Sequence, residues 1–189
     1  TLTTTLTLTS ANNGQTFSNY RISTTSGPCV TINGASNITI TRNNIGPCGG
    51  SEGATTNADS NGIELIQGSR TSNIQIVDNY IHTDTFPGNP CTQQQHTGIM
   101  DQSSTSGTAN LFQGNVIAYG GKGIHVNDGG VGDQSIGNFI INQREDDDIS
   151  PCEQGNAIES NVPGTLINHN YAVECTVGAG GEGPGKTNC

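Results

Sequence analysis

Side chains suited to acid–base chemistry recur at one position of a repeated pattern. Thr31, Glu64, Met100, His125 and Glu159 each follow directly on an apolar residue that opens a short β-branched segment. If these segments are neighbouring strands, His125 and Glu159 lie side by side, and an imidazole next to a carboxylate can act as a general acid/base pair. Opposite charges on adjacent strands also occur for stability alone. The sequence therefore predicts a candidate pair and leaves its role open.

Other candidate groups lie close to this position in the chain. Asp101 comes one residue after Met100, and His96 lies just before the same segment. His82 and Asp84 could add an imidazole and a carboxylate. We include Asp101 and His96 with Glu64, His125 and Glu159 as candidate catalytic residues.

An acidic run at 145–148 is the only candidate metal site. Asp146, Asp147 and Asp148 could bind Ca²⁺ through carboxylate and carbonyl oxygens. The run has no EF-hand spacing and no glycine–aspartate nonapeptide repeat, so a solvated acidic loop is the simpler interpretation. We expect no cofactor, with Ca²⁺ as the alternative.

Two interleaved series of residues show how these groups would be positioned. The segments SNITITRNNI and SNIQIVDNYI share six of ten residues, and their Asn-x-apolar ending recurs along the chain. The Asn residues of this ending are Asn43, Asn79, Asn115, Asn138 and Asn170, at spacings of 36, 36, 23 and 32. The apolar residues of the second series are Val30, Ile63, Ile99, Ile124 and Ile158, at spacings of 33, 36, 25 and 34. Both signals recur in the same order, as expected for a solenoid.

The segments alternate apolar and polar residues with a period of two, and no helical period lies between them. Such short strands do not suit βαβ units, whereas parallel coils stacked about 4.8 Å apart do. We predict an all-β chain folded as a single right-handed parallel β-helix of about five to six coils. Residues 1–28 would form the N-terminal strand and first coil, 29–174 the repeat coils, and 175–189 a Gly-rich tail. The recurrent Asn is expected to take a left-handed bend and to stack its amide along the coils.

The pattern GASNITITRNNI followed by NGIELIQGSRTSNIQIVDNYIH resembles the right-handed parallel β-helix repeat proteins of the pectin-lyase-like superfamily. The resemblance covers roughly residues 29–174. It implies the fold and little about function, because this architecture hosts lyases, hydrolases, epimerases, adhesins and phage proteins. The sequence lacks the Asn-Thr-Asp, Gly-His-Gly, Arg-Ile-Lys and Asp-Pro-His signatures of enzymes with this fold. The predicted strand ladders also contain no Arg or Lys that could serve as the cationic base of a lyase.

Variation in coil length falls on one corner, at the loops 46–61, 82–97 and 142–156. Each of these loops contains one of the six cysteines, which are Cys29, Cys48, Cys91, Cys152, Cys175 and Cys189. Six cysteines allow 15 pairings, and an even number without CxxC favours disulfides and an oxidising compartment. We predict Cys29–Cys48, Cys91–Cys152 and Cys175–Cys189, a loop face braced by disulfides, and secretion to the extracellular space.

The net charge of −10 and only six Lys and Arg residues argue against nucleic-acid binding, and no apolar run is long enough to span a membrane. Asn37-Ile38-Thr39 is a glycosylation sequon if the source glycosylates. A short, acidic β-helix without a capping helix predicts a secreted non-catalytic structural or adhesive protein that can self-assemble into a filament. The alternatives are a small carbohydrate-active enzyme (lyase, epimerase or glycosidase) and a carbohydrate-binding module. The expected partners are accordingly further copies of the chain or an extracellular polysaccharide.

Overall fold

Each coil of the computed structural model contains three short β-strands. The structure describes residues 1–49, 61–82, 97–103, 108–119, 122–127, 131–141, 143 and 157–173. Within these residues there are eighteen strands and a single 3-10 turn, Ser10–Asn12. The first two coils comprise β1 (Leu6–Thr9), β2 (Thr16–Ser18) and β3 (Arg21–Ile22), then β4 (Val30–Asn33), β5 (Thr39–Thr41) and β6 (Asn44–Ile45). The next two comprise β7 (Ile63–Leu65), β8 (Gln75–Val77) and β9 (Tyr80–His82), then β10 (Thr97–Asp101), β11 (Leu111–Gln113) and β12 (Val116–Ala118). The last two comprise β13 (Lys122–Val126), β14 (Gln134–Ile136) and β15 (Phe139–Ile141), then β16 (Ile158–Ser160), β17 (Leu166–Asn168) and β18 (Tyr171–Val173).

Each coil gives one strand to each of three parallel sheets. Sheet 1 has the order β1-β4-β7-β10-β13-β16, sheet 2 contains β2 to β17 and sheet 3 contains β3 to β18, each with six strands. The prediction of a single parallel β-helix is confirmed, with six coils. Its right-handed sense and the division at residues 28 and 174 stay predictions.

Apolar side chains fill most of the inward positions and follow one another from coil to coil. In sheet 3, Ile22, Ile45, Ile81, Ile117 and Ile140 follow one another in register, and each is at most 1 % exposed. Full burial of an Ile side chain contributes about 1.5–3 kcal/mol. Period-two alternation leaves the residues between them outside the coil.

A ladder of asparagines runs along the stack at the corner between sheets 2 and 3, and all but the last of them are buried. The amide nitrogen of each donates to the next Oδ1 at 2.8–3.0 Å, from Asn43 through Asn79, Asn115 and Asn138 to Asn170. That oxygen also accepts the backbone N–H of the asparagine before it. The second amide hydrogen reaches a carbonyl of the preceding coil, as from Asn115 to Ile76 at 2.8 Å. The predicted stacking of the amides is confirmed.

The left-handed bend falls one residue earlier than we predicted. The ladder asparagines are not among the residues with positive φ, whereas those directly before them are: Arg42 (55°), Asp78 (56°), Gly114 (64°), Gly137 (63°) and His169 (53°). The residue before each ladder asparagine therefore makes the turn. The asparagine itself keeps a backbone conformation that holds its amide inside the coil.

The predicted disulfide Cys29–Cys48 is present, with 5.2 Å between the Cα atoms. It links two successive turns at the corner between sheets 3 and 1. Both cysteines are fully buried, so the bond braces the core at this corner. Cys91, Cys152, Cys175 and Cys189 lie outside the described residues.

We expect Asn115→Ala to lower the free energy of unfolding by about 3–5 kcal/mol, since each buried polar group left without a partner costs about 1–3 kcal/mol. The change removes the acceptor for Asn79 and the donor to Ile76. Urea unfolding followed by circular dichroism measures it. The matched control is Asn168→Ala, an exposed position on β17, where a change below about 0.5 kcal/mol is expected. Equal effects of the two substitutions would contradict a stabilising ladder.

Candidate functional site

The outward row of sheet 1 contains the candidate acid–base residues in the predicted order. Strand pairing aligns Thr31 with Glu64, Glu64 with Met100, Met100 with His125, and His125 with Glu159. We call these five residues the sheet 1 row. The flanking residues Ile63 and Leu65 are fully buried while Glu64 is half-buried, as alternation requires.

His125 and Glu159 are neighbours, and a lysine joins them. The carboxylate of Glu159 has one oxygen 2.9 Å from Lys122 Nζ and the other 3.6 Å from His125 Nε2. The side chains of Lys122 and Glu159 are 12 % and 27 % exposed, so water screens this pair only in part. A cation, a carboxylate and an imidazole therefore meet at one end of the row.

The second contact of His125 makes the cluster dependent on the imidazole tautomer. Asn161 Nδ2 lies 3.4 Å from His125 Nε2 and also donates to Asn127 Oδ1 at 3.0 Å. A neutral imidazole with the proton on Nδ1 accepts from Asn161, whereas a protonated one donates to Glu159. His125 Nε2 thus has one neighbour that can donate to it and another that can accept from it.

Lys122 corrects our inference that the strand ladders hold no Lys or Arg. It is the first residue of β13 and pairs with Thr97. A Cβ on the following Gly123 would lie 2.7 Å from the core side chain of Ile140, so Gly123 faces inward and the side chain of Lys122 turns outward. Alternation counted back from Ile124 places Lys122 inside, and the glycine breaks that alternation.

Glu64 stays apart from the cluster. Met100, 7 % exposed, stands between it and His125 in the sheet 1 row. Two strand spacings separate Glu64 from His125, about 9.6 Å. The row therefore holds carboxylates at two heights, Glu159 next to His125 and Glu64 two strands away from His125.

Asp101 lies inside the coil. It aligns with Leu65 and Val126 and is fully buried. One carboxylate oxygen accepts from the backbone N–H and hydroxyl of Ser103 at 2.9 and 2.7 Å, and the other from Asn110 Nδ2 at 2.9 Å. The arrangement gives Asp101 a structural role in the corner between sheets 1 and 2.

The same corner contains a second buried carboxylate. Asn110 and Asp133 directly precede β11 and β14, at the position that Ile38 and Ile74 occupy before β5 and β8. Both are at most 1 % exposed. Asn110 N–H donates to Asp133 Oδ1 at 2.7 Å. Asn110 thereby joins Asp101 and Asp133, and this corner position, apolar in the two preceding coils, is polar here.

Of the remaining candidate residues, the structure describes only His82. His82 belongs to sheet 3, where its Nε2 lies 2.8 Å from Asn44 Oδ1. Asp84, His96, Asp146, Asp147 and Asp148 lie outside the described residues. In the part of the chain that is described, no group of three His, Cys, Asp or Glu side chains could hold a metal ion.

The sequon residue Asn37 is exposed at the bend before β5. Its Oδ1 accepts from Asn73 Nδ2 at 2.7 Å. Attachment of a glycan to the Asn37 nitrogen is compatible with this contact.

An aromatic row on the outward side of sheet 3 is a feature that sequence reasoning missed. Strand pairing aligns Tyr80, Val116, Phe139 and Tyr171. The three aromatic residues, which we call the sheet 3 aromatic row, are 40 %, 38 % and 61 % exposed. The shared position after each ladder asparagine was the signal that could have revealed it.

Comparison with known proteins gives no match, whether with family models, curated proteins or solved structures. The resemblance to the pectin-lyase-like superfamily therefore stays a prediction, whereas the parallel β-helix architecture is shown by the strand pairing. No helix formed by the described residues has the length and apolar character needed to cross a membrane.

We expect Lys122 and Glu159 to stabilise each other by about 1 kcal/mol, as for a partly buried ion pair. A double-mutant cycle with Lys122→Met and Glu159→Gln, measured by urea unfolding, isolates this coupling energy. A coupling of zero would show that the two charges do not interact in solution.

Proposed function

We propose that the chain is a secreted, non-catalytic structural or adhesive β-helix protein whose copies associate end to end. The observation that carries the proposal is the exposure of Ile167 on β17, which reaches 49 %. Its equivalents Ile40, Ile76, Phe112 and Ser135 in four preceding coils are at most 1 % exposed. The last described coil thus presents an inward-facing position to solvent.

The strand edges at this end of the stack are a second argument for association there. Within the described residues β16, β17 and β18 pair with a neighbour on one side only. A free strand edge offers its N–H and C=O groups to another chain. Leu166 and Tyr171, 46 % and 61 % exposed, add apolar surface beside these edges.

The opposite end of the same molecule is a suitable partner. Among the described strands, β1 and β2 lie at the other edge of sheets 1 and 2; their inward residues Leu6 and Phe17 are partly buried, whereas Leu8 is fully buried. In sheet 3, Leu2 already pairs with Ile22, so we expect contact through sheets 1 and 2. Joining unlike ends is a heterologous contact, which produces filaments when it does not close into a ring.

The disulfide supports the proposed location. A buried Cys29–Cys48 bond forms and persists in oxidising compartments such as the extracellular space.

A charge placed on the open end should prevent association. We expect wild-type protein to form oligomers whose mass grows with concentration, and Ile167→Lys to remain monomeric, because burial of an unpaired ammonium in the contact is costly. Analytical ultracentrifugation measures the mass, and circular dichroism checks that the variant is folded.

Gln75→Lys is the matched control, since Gln75 is an exposed residue of β8, three strands away from β17 in sheet 2. It introduces the same charge away from the end and should assemble like wild type. A wild-type protein that stays monomeric at every concentration would contradict the proposal, as would equal loss of assembly in both variants.

The cluster of Lys122, Glu159 and His125 favours a second candidate, a small carbohydrate-active enzyme. The imidazole or the carboxylate could move a proton, and the lysine could neutralise developing negative charge. If so, purified protein should release product from at least one polysaccharide in a panel assayed with and without Ca²⁺, and His125→Gln should lower the rate at least about 100-fold. A panel without product would count against catalysis.

A further inference from the structure

The outward side of sheet 3 carries two pairs of stacked side-chain rings. Phe139 stacks on Tyr171 with ring centres 5.2 Å apart and planes inclined by 6°. Tyr80 stacks on His82 at 4.3 Å and 16°. Because each ring is held by a neighbour, little side-chain entropy remains to be lost when a ligand binds.

Polar groups lie next to the rings. His82 contacts Asn44 through Nε2 and Oδ1, 2.8 Å apart. Burial, and in addition the neighbouring Tyr119, raises the pKa of the Tyr80 phenol. Tyr80 therefore remains a neutral hydroxyl that can both donate and accept a hydrogen bond.

We propose that the sheet 3 aromatic row binds an uncharged polysaccharide, whose sugar rings pack on the exposed aromatic side chains. Each stacked ring has one face against its neighbour, so the C–H groups on one side of a sugar ring would pack on the opposite, electron-rich face. The sugar hydroxyls suit the phenols, His82 and Asn44. The row extends over coils three to six, about 14 Å at strand spacing, which is long enough for a short oligosaccharide.

Charge favours an uncharged ligand over a polyanion. The chain as a whole carries a net charge of −10, which repels polyuronates. The described residues of β9, β12, β15 and β18 include no Asp, Glu, Lys or Arg. These four strands offer no cation to bind the carboxylates of a polyuronate, and the nearest charged residue in the same outward row, Arg21, is two strands away from Tyr80.

Area argues against a second copy of the chain as the occupant. Two residues along each of four strands cover on the order of 100 Å², whereas a stable protein interface buries about 800 Å² on each partner. A narrow strip of rings suits a linear polymer. This binding surface is on the side of the solenoid, so the inference goes beyond end-to-end association and does not depend on it.

The test measures the retention of full-length protein by insoluble cellulose and chitin, and its retardation in gels containing soluble mixed-linkage β-glucan or polygalacturonate. We expect binding to at least one of the three uncharged polymers and none to polygalacturonate. Tyr80→Ala and Phe139→Ala should each weaken binding about tenfold, and their combination about 100-fold. Tyr171 is left intact because it also borders the open end.

Tyr20→Ala is the matched control, since Tyr20 is 39 % exposed but belongs to the first coil. It should bind like wild type, and Phe139→Tyr should retain binding. Absence of binding to all three uncharged polymers would overturn the proposal, as would preference for polygalacturonate. It would also be overturned if Tyr20→Ala weakened binding as much as Phe139→Ala, or if Tyr80→Ala and Phe139→Ala abolished self-association in ultracentrifugation and left glycan binding unchanged.

Discussion

The structure depends on one constraint, that a buried asparagine amide must find its hydrogen-bond partners inside the stack. Asn79 and Asn115 are 2 % and 0 % exposed, so water cannot replace a missing partner, and an unsatisfied buried amide costs about 1–3 kcal/mol per group. Each amide from Asn43 to Asn138 donates to an asparagine at the same position of the next coil. The ladder therefore fixes how every coil lies on the next.

That register also determines which side chains can act together. Because side chains alternate with a period of two, a slip of one residue would exchange the inside and outside of a sheet. The register that buries the isoleucines of sheet 3 brings Tyr80, Phe139 and Tyr171 into one outward row. The corresponding register in sheet 1 brings Glu159 next to His125. Surface chemistry and core packing are thus two results of the same alignment.

Much of this arrangement could be predicted from the sequence, since coils of similar length repeat the same residues. The β-helix of about five to six coils, the stacked amides and the pairing of His125 with Glu159 follow from the two repeat series, and the Cys29–Cys48 bond from the local position of the two cysteines. Other features depend on details that a pattern does not contain. Lys122 faces outward only because Gly123 approaches the core closely. The aromatic row could not be predicted from a repeated residue type, because the same outward position is occupied by Tyr80, Val116, Phe139 and Tyr171.

The proposed end-to-end association occurs through the last described coil, where Ile167 is exposed. Electron cryo-microscopy of concentrated wild-type protein tests it most directly. The account predicts filaments with strands perpendicular to their axis and an axial repeat of six to seven coils, roughly 29–34 Å at strand spacing. Isolated particles no longer than a single solenoid at every concentration, or assemblies joined side to side, would contradict it.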